Sequence, residues 1–155
     1  MTAALDIRLD DARGEDVIGL LAAHLTLMRS LSPPESTHAL DLDGLRADNI
    51  TFWRAEQDGE LVGCAALKEL DSVTGEIKSM HTAAAHRGKG IAAALLEHLL
   101  KTARERGYRD LYLETGSQPG FQPARALYAG YGFTECPPFG SYILDPNSVF
   151  MTLRL

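Results

Sequence analysis

The stretch His86-Arg87-Gly88-Lys89-Gly90-Ile91-Ala92 joins a strand-like run at residues 76–82 to an amphipathic helical pattern at residues 91–106. The first turn of a helix has backbone N–H groups without a partner inside the helix, and the helix dipole adds partial positive charge there. The two glycines let the backbone approach a ligand closely, because they have no Cβ. The stretch therefore predicts a binding site for an anion such as a phosphate or pyrophosphate.

The composition is that of a globular protein and predicts a single domain covering residues 1–155. Hydrophobic residues make up 45% and charged residues 23% of the chain, and the net charge is −6. An acidic chain argues against a general nucleic-acid binder, which would present a basic face. Basic residues nevertheless cluster around the glycine stretch: Lys78, His81, His86, Arg87 and Lys89.

Compartment and metal content follow from what the sequence lacks. Cys64 and Cys136 match no metal-ligand spacing, and Cys64 lies in an apolar run, which favours a reduced, buried thiol. The N-terminus has no signal-peptide pattern, and no apolar run reaches the roughly 18 residues of a membrane span. We therefore expect a cytoplasmic protein without a metal site and without membrane association.

The hydrophobic periodicity predicts a mixed α/β (α+β) fold. Strands are expected at residues 5–9, 50–55, 60–70, 76–82, 109–114 and 148–155, and helices at 14–29, 41–48, 91–106 and 123–131. Asp58-Gly59 predicts a hairpin turn, and Asp41 is the expected cap of the second helix. The helix at residues 91–106 joins two strands, so we expect a right-handed parallel crossover.

Two families of anion-binding loop do not fit the glycine stretch. A Walker A loop ends in Gly-Lys-Ser/Thr so that a hydroxyl can hold magnesium, whereas here Gly90 follows Gly88-Lys89. A dinucleotide-binding loop follows the first strand of a βαβ unit, whereas this one follows a three-stranded meander.

The arrangement does resemble the GNAT (Gcn5-related N-acetyltransferase) superfamily. Arg87 to Ala92 matches the acyl-CoA loop Arg/Gln-x-x-Gly-x-Gly/Ala, and Ala124-x-x-Leu127-Tyr128-x-x-x-Gly132-Phe133 matches the second signature of the family. The resemblance covers essentially the whole chain. It implies a GNAT fold, with a mostly antiparallel sheet of six to seven strands, about four helices, and central strands splayed around acyl-CoA.

By resemblance, acetyl-CoA is the co-substrate, and the loop would hold its pyrophosphate. The strand before the loop would hold the pantetheine arm through its backbone, and the N–H of Met80 would polarise the thioester carbonyl. The cofactor-binding residues implied in this way are Met80, His81, Thr82, Arg87, Gly88, Lys89, Gly90, Ile91 and Ala92. Phe121 stands where the family often has an Asn that contacts this arm, which puts that contact in doubt.

For catalysis, the resemblance implies that Tyr128 protonates the departing thiolate of CoA. The base that removes the proton from the amine stays open. Glu76 and Glu114 are the leading candidates because carboxylates acting through water are common in the family, and Glu69 and His81 are weaker ones.

The resemblance also implies that the acceptor binds between two loops, at residues 32–38 and 138–142. Their candidate substrate-binding residues are Glu35, Ser36, Phe139 and Tyr142. The expected activity is transfer of an acetyl group to a primary amine of a small molecule or peptide, by direct attack in a ternary complex, because neither cysteine falls in a signature. The alternative is a non-catalytic acyl-CoA-binding sensor or interaction module. The resemblance also allows a homodimer.

Overall fold

A computed structural model describes residues 5–36 and 42–155 of the chain. The described strands are β1 (Asp6–Leu9), β2 (Ile50–Gln57), β3 (Glu60–Asp71), β4 (Thr74–Thr82), β5 (Asp110–Gly116), β6 (Thr134–Glu135) and β7 (Ser148–Arg154). The described helices are α1 (Glu15–Leu31), α2 (Leu42–Leu45), α3 (Ile91–Glu105) and α4 (Gln122–Gly130). Short 3-10 turns lie at Pro34–Ser36, Ala84–His86 and Pro119–Phe121.

The seven strands form one sheet in the order β1-β2-β3-β4-β5-β7-β6. Every neighbouring pair is antiparallel except β4 and β5, which are parallel and joined by α3. The mixed, mostly antiparallel sheet and the parallel crossover are therefore confirmed. The sequence did not predict the two-residue strand β6, because so short a segment shows no hydrophobic period and is ordered by its pairing with β7.

Local sequence signals account for most element boundaries. Asp58 and Gly59 form the predicted hairpin turn with φ of 55° and 77°, values that Asn, Asp and Gly tolerate best. Helix α1 ends at Leu31, and Ser32 is already extended, as expected for a residue that precedes a proline. Helix α2 is shorter than predicted, at Leu42–Leu45, and its expected cap Asp41 lies outside the described residues.

The sheet packs between two layers of helices. Alternation along β3 turns Ala65 and Leu67 towards a cluster with α3, and Cys64 and Ala66 towards a cluster with α1. The face that α3 buries in the first cluster includes Leu95, Leu96 and Leu99, all fully buried. As predicted, Cys64 is a buried thiol outside any disulfide.

The centre of the sheet opens between β4 and β5. The two strands pair only from Thr74 to Glu76 on β4 and from Asp110 to Tyr112 on β5. Beyond these residues β4 continues to Thr82 and β5 to Gly116, and no register pair joins them. A cleft results, with strand edges along both sides.

A β-bulge in β4 lies beside this cleft. The register shifts between the pairs Cys64–His81 and Ala66–Lys78, so that Ser79 and Met80 together oppose Ala65. Ser79 has a φ of 51°, which is unusual for a residue with a side chain. A bulge bends its strand and redirects the neighbouring groups, and here it does so along the wall of the cleft.

Candidate active site

The glycine loop lies where β4 passes into α3. Gly88 and Gly90 have φ of 76° and 80°, in the left-handed region that glycine adopts most easily. A Cβ added to either glycine would meet no atom within 4 Å, so there is open space beside the loop. Gly90 is the N-cap of α3, no side chain caps that end, and its first turn has no acidic residue. The first N–H groups of α3 are therefore not capped by a side chain, which is compatible with the anion site expected at this loop.

The basic cluster expected around this loop is smaller than the sequence indicated. Lys78 points to the other side of the site, where its buried Nζ lies 3.1 Å from Oε2 of Glu76. His86 lies 3.4 Å from the Glu60 carboxylate. Arg87 and Lys89 remain exposed and contribute positive charge at the loop.

His81 is also unavailable as a charge at the loop. Its Nδ1 lies 3.1 Å from Nδ1 of His24 on α1, and both rings are buried. Burial lowers the pKa of each imidazole to about 4, with a smaller contribution from the neighbouring His81 in the case of His24 and from Arg87 in the case of His81. Both rings are therefore neutral at pH 7. His81 can still contribute its backbone to a ligand on β4.

A cavity of about 130 Å³ occupies the cleft between the separated strands. Its walls come from α1, β4, β5 and α4, and include Glu76, Lys78, Met80, Glu114 and Tyr128. Met80, which was expected to contact the thioester, borders this cavity, and Thr82 lies farther along β4, where it pairs with Gly63. Phe121 also borders the cavity, so an apolar ring occupies the place of the amide that the family often uses.

Tyr128 is buried on α4 and faces the cavity. Its ring packs edge-to-face against Phe133, with centroids 5.8 Å apart, so the Tyr and the Phe of the second signature are in contact. Burial, and then the negative charge of Glu114, raise the pKa of Tyr128 above the ordinary value of 10. The phenol is therefore protonated at neutral pH and available as a proton donor.

Glu114 shares that cavity from the β5 side. Burial raises the pKa of its carboxyl from an ordinary value of 4.5 to about 7. The nearby Ser148 hydroxyl and the Lys78 ammonium oppose this rise, whereas the charges of Glu76 and Asp145 add to it. A carboxyl group with a pKa near neutrality can both accept and release a proton under physiological conditions.

The other carboxylate candidates have different surroundings. Glu76 is 2% exposed, and its Oε2 accepts hydrogen bonds from Nζ of Lys78 at 3.1 Å and from the hydroxyl of Tyr142 at 2.7 Å. Glu69 is exposed on β3 and accepts a hydrogen bond from the hydroxyl of Tyr108 at 2.8 Å. Glu69 does not border the cavity, so the structure brings Glu76 and Glu114 together there and leaves Glu69 outside.

The two loops expected to hold the acceptor differ in their relation to the cavity. Tyr142 reaches the rim of the cavity through its hydrogen bond to Glu76. Phe139 packs between Tyr112, to which it is tilted, and Tyr142, which it meets edge-to-face, at centroid distances of 4.8 and 5.0 Å. On the first loop, Glu35 is exposed in the turn Pro34–Ser36, which also contains the backbone of Ser36. The rest of this loop, from residue 37, lies outside the described residues.

The sequence interpretation missed the part that His24 and Lys78 play in the cavity wall. His24 occupies a position on the apolar face of α1, and an imidazole at a core-facing position was the available signal. Lys78 was assigned to the anion loop because it is close in sequence. The alternation of side chains along β4 places it on the face with Glu76 instead.

A sheet that opens between two parallel strands, with a glycine loop at a helix N-terminus and a buried Tyr in the opening, defines the class of acyl-CoA-dependent acetyltransferases. The model of the Acetyltransferase (GNAT) family matches residues 17–133 of the chain. The chain therefore belongs to the GNAT family, and the resemblance noted in the sequence is confirmed.

Individual relatives agree with this assignment. The protein named uncharacterized N-acetyltransferase YsnE, from Bacillus subtilis (strain 168), is 53% identical over 151 residues, which is 97% of this chain and 100% of that protein. The IAA acetyltransferase of Azospirillum brasilense is 38% identical over 153 residues, which is 97% of this chain and 95% of that protein. The chain is an acetyl-CoA-dependent N-acetyltransferase.

A solved structure shows the same fold. The GNAT family acetyltransferase from Elizabethkingia anophelis, with acetyl-CoA bound, superposes with a TM-score of 0.72 at 21% identity, covering 97% of this chain and 98% of that one. Within residues 5–36 and 42–155, no helix has the length and apolar character needed to cross a membrane.

Proposed function

We propose that the enzyme transfers the acetyl group of acetyl-CoA to a primary amine of a small molecule or peptide by direct attack in a ternary complex. Glu114 acts as the general base and Tyr128 as the general acid. One observation carries this proposal: a carboxyl group with a pKa near 7 and a buried phenol border the same cavity, at the place where β4 and β5 separate.

The choice of Glu114 over Glu76 follows from their partners. Glu76 is held by an ammonium and a hydroxyl, and protonating it would weaken both bonds and leave Lys78 buried without its counter-charge. Glu114 has a pKa near 7, close to the optimum for a base working at neutral pH. Glu76 then positions Lys78 and Tyr142 on the acceptor side of the cavity.

The cofactor would lie along the β4 edge, with its pyrophosphate at the glycine loop. Backbone N–H groups from Gly88 to Ala92 bind the phosphates, and Arg87 and Lys89 add positive charge. The backbone of residues 80–82 holds the pantetheine arm as a neighbouring strand would. The N–H of Met80, next to the Ser79 bulge, polarises the thioester carbonyl.

The reaction then proceeds without an acyl-enzyme. Glu114 accepts a proton from the acceptor ammonium, and the neutral nitrogen attacks the thioester carbon. The C–N bond forms, the C–S bond breaks, and the hydroxyl of Tyr128 protonates the departing sulfur. Return of a proton from Glu114 to Tyr128, directly or through water, and loss of the remaining proton to solvent reset the site. Glu114 is close enough for its charge to act on the phenol.

The test measures release of the CoA thiol from acetyl-CoA against a panel of amines and peptides, and against IAA because that compound names one relative. Tyr128→Phe is expected to lower kcat by about a hundredfold, with little change in acetyl-CoA affinity. Ala126→Gly, at an exposed position of α4, controls for a general loosening of the helix.

Three outcomes would contradict this proposal. Acetylation of IAA in preference to every amine would overturn the acceptor class. Equal losses of turnover and affinity in Tyr128→Phe would assign that residue to packing. Tight acetyl-CoA binding without turnover on any amine or peptide would also overturn the proposed acceptor class.

A further inference from the structure

We infer that the cavity selects amines that carry no carboxylate next to the reacting nitrogen, and that it discriminates against free α-amino acids. This inference rests on the proposed function, because it concerns the acceptor that occupies the same cavity. It follows from the count of charges around Glu114 and from the hydrogen bonds that hold them.

Among the described residues that border the cavity, the acidic side chains Glu76 and Glu114 outnumber the one basic side chain, Lys78. Glu76 and Lys78 neutralise each other across 3.1 Å, and their side chains are only 3% and 8% exposed. Glu114 adds a further negative charge when it ionises, and Asp145 on the loop before β7 is near enough to act on it. The acceptor side of the cavity is therefore negative whenever Glu114 is ready to accept a proton.

The other polar groups that the structure describes around the cavity do not offset this charge. His24 borders the cavity, but burial keeps it and its partner His81 neutral at pH 7. Tyr128 and Tyr142 are neutral phenols whose pKa values are raised, in both cases first by burial. Among the described residues that border the cavity, Lys78 is the one cationic side chain at neutral pH.

An acceptor ammonium fits this arrangement because it can pair with Glu114. A carboxylate on the adjacent carbon would enter the same partly desolvated, negative space. Lys78 could meet it only by turning away from Glu76 and from the hydroxyl of Tyr142, which it contacts at 2.8 Å. That movement would leave Glu76 buried without its counter-charge. The resulting free-energy penalty would exceed the stabilisation gained from the new ion pair.

The experiment compares three acceptors that share one side chain: the amino acid, its amide and its decarboxylated amine, in an alanine set and a phenylalanine set. The amide keeps the bulk at the α-carbon, and the decarboxylated amine keeps a high basicity, so together they separate charge from size and from basicity. We expect kcat/KM for both neutral analogues to exceed that for the amino acid by at least tenfold.

Two variants test whether the negative charge around the cavity causes the preference for the amide over the amino acid. Asp145→Asn removes one negative charge, so the preference for amide over acid should fall by about threefold. The matched control is Glu135→Gln, which removes one negative charge from an exposed position on β6 and should leave that preference unchanged. Thermal unfolding checks that each variant is folded before its preference is measured.

Equal kcat/KM for acid and amide in the natural protein would overturn the inference while leaving the proposed function intact. An unchanged preference in folded Asp145→Asn would overturn the electrostatic explanation. If no amine in either set is acetylated although acetyl-CoA binds, the proposed function itself fails, and the acceptor inference fails with it.

Discussion

Replacing Glu114 with Gln should make the protein more stable at pH 8 while lowering its activity. In the unfolded chain this carboxyl group has a pKa near 4.5, whereas in the folded protein burial raises its pKa to about 7. The folded state therefore holds a proton between these values that the unfolded state has lost. The resulting stabilisation is complete below about pH 4.5 and is lost as the pH rises through 7.

The size of this effect follows from the difference between the two pKa values. Each pKa unit corresponds to about 1.36 kcal/mol, so full ionisation of Glu114 destabilises the fold by at most about 3 kcal/mol. That is a large part of the 5 to 15 kcal/mol, roughly, by which a typical domain is stable. Gln has the shape of the protonated carboxyl group and avoids the cost at every pH.

The assay is urea unfolding at pH 5 and at pH 8, without acetyl-CoA. We expect Glu114→Gln to exceed the natural protein by no more than about 1 kcal/mol at pH 5 and by about 3 kcal/mol at pH 8, because only a small part of the stabilisation has been lost at pH 5. Glu135→Gln is the control, because Glu135 is exposed on β6. It should change stability equally at both pH values. In activity, kcat/KM of the natural protein should rise through about pH 7, and this rise should disappear in Glu114→Gln.

The same stability difference at both pH values would refute the reasoning, since a buried carboxyl group must ionise between them. So would a variant that keeps the rise in activity, because the rise would then belong to another group. A stabilised variant with full activity would distinguish the claim that Glu114 is buried from the claim that it is the base. It would confirm the buried carboxyl and exclude Glu114 as the base.

The remaining predictions concern the glycine loop, the hydrogen bonds of Tyr142 to Glu76 and Lys78, and the pair formed by His24 and His81. Gly90→Asp should weaken acetyl-CoA binding at least a hundredfold in calorimetry, whereas Gly90→Ala, which shares the strain at a φ of 80°, should weaken it far less. Tyr142→Phe should lower the free energy of unfolding, measured in urea, by about 1 to 3 kcal/mol, because the Tyr142 hydroxyl forms hydrogen bonds with the charged Glu76 and Lys78. An unchanged free energy of unfolding would contradict these hydrogen bonds. His24→Asn should reduce the loss of stability that occurs as the pH falls from 6.5 to 4, because the buried imidazole of the folded state has a lowered pKa and protonates less readily than in the unfolded chain. Urea unfolding at both pH values measures this loss. An unaltered pH dependence would contradict the conclusion that His24 and His81 are both neutral.

Elements that depend on nearby residues could be predicted from the sequence. The turn at Asp58-Gly59 and the helix start at Gly90 require backbone conformations that few residues adopt, so residue type alone indicates them. The periodicity of α3 likewise marked its buried face. These features are local because their cause lies within a few residues of chain.

Charge at the site could not be predicted in this way. Lys78 is close to the glycine loop in sequence, yet the alternation along β4 and the reach of Tyr142 from a loop 64 residues later bind it to the acceptor side. His81 was counted in the basic cluster at the loop, but its partner His24, 57 residues earlier, lies beside it in the protein interior. Neither pairing can be predicted from the residues that are adjacent in sequence.

The sequence by itself determined that the chain forms a glycine loop at a helix N-terminus with a Tyr signature after it, and hence that it handles an acyl-CoA. The tertiary structure decided how the surroundings of the two candidate carboxylates differ. Glu76 and Glu114 are the same residue type in similar strands, and what distinguishes them is a counter-charge beside one and desolvation of the other. A pKa is set by everything packed around a group, and that packing exists only once β4 and β5 have separated around the cavity.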